Sequence, residues 1–194
     1  ENGAYKVAGT DKKKMFGEVA FAAYVPHNYP HDKLEPGLNE NAFYDPSNFT
    51  FPAGTYVCEV EVDTQTGIVR LLKVTGAHDV GRVLNRLGIE GQIEGGIVMG
   101  QGYALTENLI VDHGVVRNPN FRDYKLVTAS DAPRIDVAWI ETDTPNAGPK
   151  GSKGVGEPPC VPTAGAVANA IAKVIGARVR RLPMTPERVW EAGS

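Results

Sequence analysis

Between positions 88 and 102 the chain carries six glycines, at 88, 91, 95, 96, 100 and 102. The same stretch holds Ile89, Ile93, Ile97 and Val98, with Leu105 just beyond, at the three- and four-residue intervals of one helix face. A helix starting near Leu87, after a turn around Gly81, is the reading that accommodates both. Each glycine inside a helix costs ~1 kcal/mol relative to alanine, so the group costs several kcal/mol. A chain keeps such a helix only where the missing Cβ atoms let something come close. Tight packing against another element is one candidate, and the approach of a ligand is the other. The Gly91–Gly95 and Gly96–Gly100 spacing also suits helix pairs in membranes, but Glu90, Gln92, Glu94 and Gln101 are incompatible with lipid. The helix is expected inside protein.

A second stretch, "KGSKGVGEPPCVP" at 150–162, raises a related question. It holds one acidic side chain, Glu157, between glycines at 151, 154 and 156 and prolines at 158, 159 and 162. Gly156 permits backbone angles denied to other residues, and Pro158 drives Glu157 toward an extended conformation. A helix is expected to begin just beyond, around Pro162-Thr163. The carboxylate is thus presented from a stiff loop beside a helix N-terminus. Small and apolar neighbours (Val155, Val161, Ala164) strip hydration, which favours the neutral acid and suits a general base. The helix N-terminus favours the anion instead. On these residues alone Glu157 is either a catalytic base or a carboxylate that caps or salt-bridges the following helix.

The rest of the chain reads as a mixture of strands and helices. "TYVCEVEVD" alternates, with Tyr56, Cys58, Val60 and Val62 on one face, and "IVRLLKV" returns after "TQTG", so 55–74 is a β-hairpin. "NLIVDHGVVRN" is a second hairpin turning at Asp112-His113-Gly114, and "IDVAWIET" (135–142) a further strand. "TAGAVANAIAKVIG" places Val167, Ile171, Val174 and Ile175 at helical spacing with Gly176 as the stop, and "TPERVWEA" starts a short helix with Thr185 as cap. Near the start, "FGEVAFAAYV" (16–25) suggests a short buried helix, and "NAFYDPSNFTFPAG" an aromatic loop packed between turn signals. Without strict alternation of strand and helix, the class is α+β: mixed or antiparallel hairpins packed with the glycine-rich helix and C-terminal helices. Residues 1–53 form a loop-rich lead-in and 54–194 the core of one domain.

Composition excludes several functions. Lys and Arg number 20 against 23 Asp and Glu, a net charge of −3, which argues against a nucleic-acid partner. No signal peptide or membrane-length apolar run is present, and the two cysteines, Cys58 and Cys160, are too few for a disulfide framework or an iron–sulfur cluster. A reduced, cytoplasmic protein is expected; the Asn48-Phe49-Thr50 sequon therefore carries little weight. The chain begins at Glu1, which suggests a piece of something longer. A phosphate-loop reading of "GPKGSKGVGEPP" fails because Glu157 and Pro158 stand where Lys and Ser/Thr belong. "GQGYAL" fails the dinucleotide fingerprint at Leu105. The four histidines, 27, 31, 78 and 113, form no metal motif, since Pro30 breaks the only close pair, His27 and His31.

Taken together, these segments resemble the molybdenum hydroxylases, the xanthine dehydrogenase and aldehyde oxidase family. "KGVGEPP" (153–159) followed by "AVANAI" is similar to its C-terminal active-site loop. "DVGRVLN" (79–85), "GQIEGG" (91–96), "MGQG" leading to "TEN", "DYKLVTASDAP" (123–133) and "LPMTPERVWEA" occur in the family's order. Arg86 departs from it, since proline commonly follows the asparagine; this touches turn geometry and not chemistry. The resemblance implies a C-terminal portion of a molybdopterin-binding domain. It makes Glu157 the base that deprotonates a hydroxyl carried by molybdenum, with water as oxygen source and a small-molecule N-heterocycle or aldehyde as substrate. Gln92 would hydrogen-bond the pterin, and Gly156 would lie against the metal centre. No residue of this chain would ligate the metal.

The other half of the molybdopterin domain, and the iron–sulfur clusters and FAD that carry electrons away, would belong to another polypeptide or an upstream segment. This chain alone would be inactive and metal-free. The segment "GLNENAFYDPSNFTFPAGTYV" also resembles the carbon monoxide dehydrogenase branch, and a non-catalytic scaffold or assembly subunit is the rival of another class. His27, Tyr29, Phe43, Tyr44, Phe49 and Phe51 either line an access route or, as expected from their apolar character, pack in the interior.

Overall fold

The computed structural model describes residues 3–25, 27, 30, 32–47, 49–144 and 148–194. Tyr29, His31 and Asn48 lie outside them, and with them the His27/His31 pair, part of the aromatic group and the sequon. The chain divides into two compact units, 1–45 and 46–194.

In the first unit a small antiparallel pair, β1 (Ala4–Lys6) and β2 (Lys13–Met15), runs directly into helix α1 (Phe16–Tyr24). Glu18 accepts a hydrogen bond at Oε2 from the Met15 amide, 2.8 Å, which ties down an N-terminal donor of that helix. The helix forms where the sequence places it, but it is not buried. Only Ala23 is, while Phe16, Phe21 and Tyr24 stand largely exposed. The aromatic loop departs from expectation in the same way: Phe43, Tyr44, Phe49 and Phe51 are exposed rather than packed in an interior.

The second unit is built on a three-stranded sheet in the order β3-β4-β7, with β3 Ala53–Val62, β4 Val69–Asp79 and β7 Arg134–Ile140. The turn joining β3 to β4 is closed by Asp63, whose Oδ1 accepts from the amides of Gln65 (2.9 Å) and Thr66 (3.3 Å). Pairing of β3 with β4 jumps from Glu59↔Lys73 to Val60↔Leu71, leaving Leu72 as an extra residue in a bulge. That inserted residue shifts the phase of β4, so that Leu71, Val74, Gly76 and His78 are all buried. Along β3 the half-buried Tyr56, Cys58, Val60 and Val62 alternate with exposed Glu59 and Glu61, as the sequence pattern requires.

Strand β7 joins β4 in parallel, Lys73↔Arg134 through Asp79↔Ile140, because helix α2 (Arg86–Leu105) intervenes as a crossover. Asn85 caps that helix, its Oδ1 accepting from the Gly88 amide at 2.9 Å. The predicted hairpin between helix and strand is present as two short strands, β5 (Val111–Asp112) and β6 (Val115–Val116). Its turn has positive φ at both His113 and Gly114, which suits the right-handed twist of its arms.

Helices α3 (Thr163–Ile175) and α4 (Pro186–Gly193) complete the unit, α3 ending on Gly176 at φ 75°. The core joins Val74 and Val80 to Ile89, Ile93 and Ile97 of α2, Val167 and Ile171 of α3, and Met184 and Val189. Val174, expected to face inward, is about half exposed instead. The whole is a mixed α+β fold, and among the described residues no helix is long and apolar enough to cross a membrane.

Candidate active site

The two unusual segments of the sequence meet in the structure. The Glu157 turn lies against the glycine face of α2. A Cβ added at Gly96 would stand 2.6 Å from the Pro159 Cβ and 3.1 Å from the Cys160 nitrogen. One added at Gly100 would collide with Thr163, reaching within 2.8 Å of its Cγ2. These two glycines therefore form a notch into which residues 159–163 settle, and packing accounts for both. The hydroxyl of Tyr103, one turn further along α2, donates to the Cys160 carbonyl. Thr163, fully buried at the start of α3, donates from Oγ1 to the Pro159 carbonyl at 3.1 Å. Within the turn, the amide and thiol of Cys160 both donate to the Glu157 carbonyl, at 3.0 and 3.1 Å. The backbone of Glu157 is thus fastened from its C-terminal side.

The N-terminal side is fastened to the end of β4. The amide of Arg82 donates to the Gly151 carbonyl and that of Lys153 to the Val80 carbonyl, both at 2.9 Å. Gly81 sits at φ 58° against Gly151, so close that a side chain there would strike the Gly151 carbonyl. The left-handed backbone of the loop falls at Lys150 and Gly151, φ 59° and 83°. Gly154 and Gly156 do not share it, contrary to the role expected of Gly156. Lys153 then places Nζ 2.6 Å from Asp79 Oδ2. The other Asp79 oxygen accepts from the Gly81 amide (3.0 Å) and the Thr142 hydroxyl (2.8 Å). The Lys153 ammonium first, and the Gly81 amide next, hold the Asp79 carboxyl down at about 2.

Glu157 itself is exposed in this chain and opens onto a pocket of about 410 Å³ shared with Pro52, Gly54, His78 and Val161. Its flanking apolar residues do not enclose it. His78, at 2% exposure, forms the floor side of that lining; its Nε2 is 2.9 Å from the Tyr56 hydroxyl and the two rings meet edge to face. Burial pushes the His78 imidazole below its ordinary value and the Tyr56 phenol above its own.

Gln92 is exposed one helical turn before the notch, and the pocket that Glu157 lines does not include it. Its neighbours Gly91 and Gly95 differ from Gly96 and Gly100, for a Cβ at either would meet nothing within 4 Å. Open space likewise surrounds Gly156. This is an unobstructed strip of helix bearing one amide that can both donate and accept, which suits a flat hydrogen-bonding ligand. Among the described residues no three His, Cys, Asp or Glu side chains cluster as a metal site.

Lys153 and Asp79 were both within segments the sequence marks out, but a pairing across 74 positions leaves no local pattern. His78 gave a signal only as an unpaired histidine in an alternating strand.

A glycine-notched helix, a glutamate turn seated in it and a mixed sheet make up one α+β unit, and sequence comparison gives the chain a family. The chain belongs to the molybdopterin cofactor-binding domain family, whose profile matches residues 1–133. It is 41% identical over 140 residues to the xanthine dehydrogenase molybdenum-binding subunit of Escherichia coli, covering 71% of this chain and 18% of that protein. It is 37% identical over 194 residues to the carbon monoxide dehydrogenase large chain of Hydrogenophaga pseudoflava, covering 97% and 24%. Among solved structures, quinoline 2-oxidoreductase from Pseudomonas putida 86 superposes with a TM-score of 0.85 at 32% identity, over 99% of this chain and 25% of that one. The chain therefore spans a quarter or less of the relatives it matches.

Proposed function

We propose that this chain supplies one wall of a molybdenum–pterin site in an oxidoreductase, with Glu157 as the general base. The enzyme would convert a C–H bond of an N-heterocycle or aldehyde to C–OH with oxygen from water, releasing two electrons and two protons. When bound, the cofactor would supply the acceptor for that electron pair, with iron–sulfur and flavin groups on partner chains as its outlet. Glu157 accepts, at a carboxylate oxygen, the proton that the oxygen nucleophile loses. Gln92 would hold the pterin by its amide, with Gly91 and Gly95 leaving room beside it, and Gly156, where a Cβ would meet nothing, would leave room for the centre near the Glu157 turn. Other chain segments complete the site, and no side chain described here contributes a metal ligand.

The observation that carries this reading is the seating of the Glu157 turn in the Gly96–Gly100 notch of the helix that presents Gln92. It explains why two costly glycine-rich segments coexist: one positions a base and the other leaves room for a cofactor. The relatives act on xanthine, quinoline and carbon monoxide. What the chain shares with all three is consistent with the steps common to them, namely cofactor and base. The N-heterocycle or aldehyde reading is put first on the 41% identity to the xanthine dehydrogenase subunit; a carbon monoxide-oxidising enzyme is the second reading, supported by a match across 97% of the chain.

Replacing Glu157 with Gln in the assembled enzyme tests the assignment against a scaffold role. A lost general base is expected to lower kcat by about 10²–10⁴-fold, with molybdenum content unchanged. Turnover equal to the unsubstituted enzyme at equal metal content would remove Glu157 from the chemistry.

A further inference from the structure

We propose that Lys153 and Asp79 form a clamp that sets the position of Glu157, acting as positioning residues for the reaction; the inference rests on the reading of Glu157 given above. Glu157 is suspended between two attachments. On its C-terminal side, Cys160 holds its carbonyl, and the Gly96 notch seats the Pro159–Cys160 backbone. On its N-terminal side, Val155 packs against the core, and the nearest charged attachment is Lys153. Between Lys153 and Glu157 lie only Gly154, Val155 and Gly156, and a Cβ at either glycine would touch nothing. Packing of those glycines therefore does not hold the link, which rests on the Val155 contact with the core and on its upstream end.

That end is built to be stiff. The Lys153 side chain is 10% exposed and the Asp79 side chain 21%, so the 2.6 Å pair is partly shielded from water. A charge-assisted bond in such a setting is stronger and more directional than one on an open surface. Asp79 is in turn oriented by the Gly81 amide and Thr142, and it closes β4, whose Ile140-paired end is anchored in the sheet. The chain of contacts runs from sheet to Asp79, to Lys153, and then through core-packed Val155 between two unobstructed glycines to Glu157. Substituting Lys153 leaves the two backbone bonds of residues 151 and 153 in place, so the segment stays docked but loses its charged tie.

The test compares Lys153→Met, Lys153→Arg and Glu157→Gln in the assembled enzyme, reading kcat, KM, and amide hydrogen exchange of a peptide spanning residues 148–158. Misplacement of a base by about 1 Å can cost on the order of a hundredfold. Lys153→Met is therefore expected to lower kcat by about ten- to a hundredfold with little change in KM. Exchange in the 148–158 peptide should rise while α2 and β3 keep their protection, and Lys153→Arg should recover most of the loss. Unchanged exchange in that peptide, a uniform rise across the whole unit, or an arginine variant no better than the methionine one would overturn the clamp. If Glu157→Gln turns over normally, the base assignment fails instead, and the exchange result still decides whether the clamp exists.

Discussion

Helix α2 carries two pairs of glycines at the same four-residue spacing, and their surroundings are opposite. Gly96 and Gly100 lie under Pro159, Cys160 and Thr163, with no room for a methyl group. Gly91 and Gly95 flank exposed Gln92 and face open space. Each costs the helix ~1 kcal/mol in propensity. For the first pair the fold itself returns that energy, by seating the turn that carries Glu157. For the second pair nothing within the described residues does, and the cofactor proposed above is what gives their absence of side chains a purpose. Identical glycine spacing in one helix thus marks a packed contact on one face and open space on another.

That contrast can be broken most sharply by alanine substitution on each face. Gly96→Ala is expected to destabilise by about 2–3 kcal/mol, since the new methyl meets backbone and a proline ring that cannot rotate away. In calorimetry that corresponds to a fall in Tm of several degrees, at ~2–4 °C per kcal/mol for a domain of this size. Gly95→Ala should instead stabilise the helix by ~1 kcal/mol while lowering the molybdenum retained by the purified enzyme. A Gly96 variant as stable as the parent, or a Gly95 variant with full metal content and turnover, would erase the distinction between the faces.

A smaller effect is expected where the Glu157 pocket meets the sheet. Tyr56→Phe removes the partner of His78 Nε2 at a buried site, and a buried polar group left unpaired costs about 1–3 kcal/mol. Denaturant unfolding of the variant measures it directly, and a change below ~0.5 kcal/mol would mean that His78 finds another partner.

The smallest expected effect lies in the pH dependence. His78 is neutral and pushed down by burial, and Asp79 is ionised and pushed down by Lys153. In both cases the unfolded chain binds protons more readily, so stability is lost as pH falls. The His78 contribution is full above ~6.5 and declines below it. The Asp79 contribution is full above ~3.9 and is lost toward about 2. Unfolding free energy followed from pH 7 downward should therefore decline in two stages, and Asp79→Asn should make the lower one shallower, the depressed Asp63, Asp136 and Glu187 carboxyls keeping the remainder. A flat profile through both intervals would contradict these environments.

Much of this was legible in the sequence because it depends on local pattern. The 3.6-residue spacing of Ile89, Ile93 and Ile97 placed α2 and its core face correctly, and alternation from Tyr56 to Val62 gave β3 its inner side. Glu157 and its seating near a helix start followed from the clustering of Gly and Pro. What sequence could not supply was non-local. The parallel pairing of β7 with β4, the bulge at Leu72 and the Lys153–Asp79 pair each join residues with no shared local signal. The exposed aromatics at 43, 44, 49 and 51 were misread for another reason. An apolar side chain reads the same in sequence whether it faces its own core or outward, and α1 misled in the same way.

Glu157 can serve as the base only if its carboxylate faces the reacting atoms once the cofactor and the remaining chain segments are in place. A structure of the assembled, metal-loaded enzyme with a substrate analogue measures this directly. The expected result is a Glu157 carboxylate oxygen within hydrogen-bond reach, ~2.6–3.2 Å, of the cofactor or the analogue, with Gln92 against the pterin. A Glu157 side chain still facing bulk water, remote from both, would contradict it.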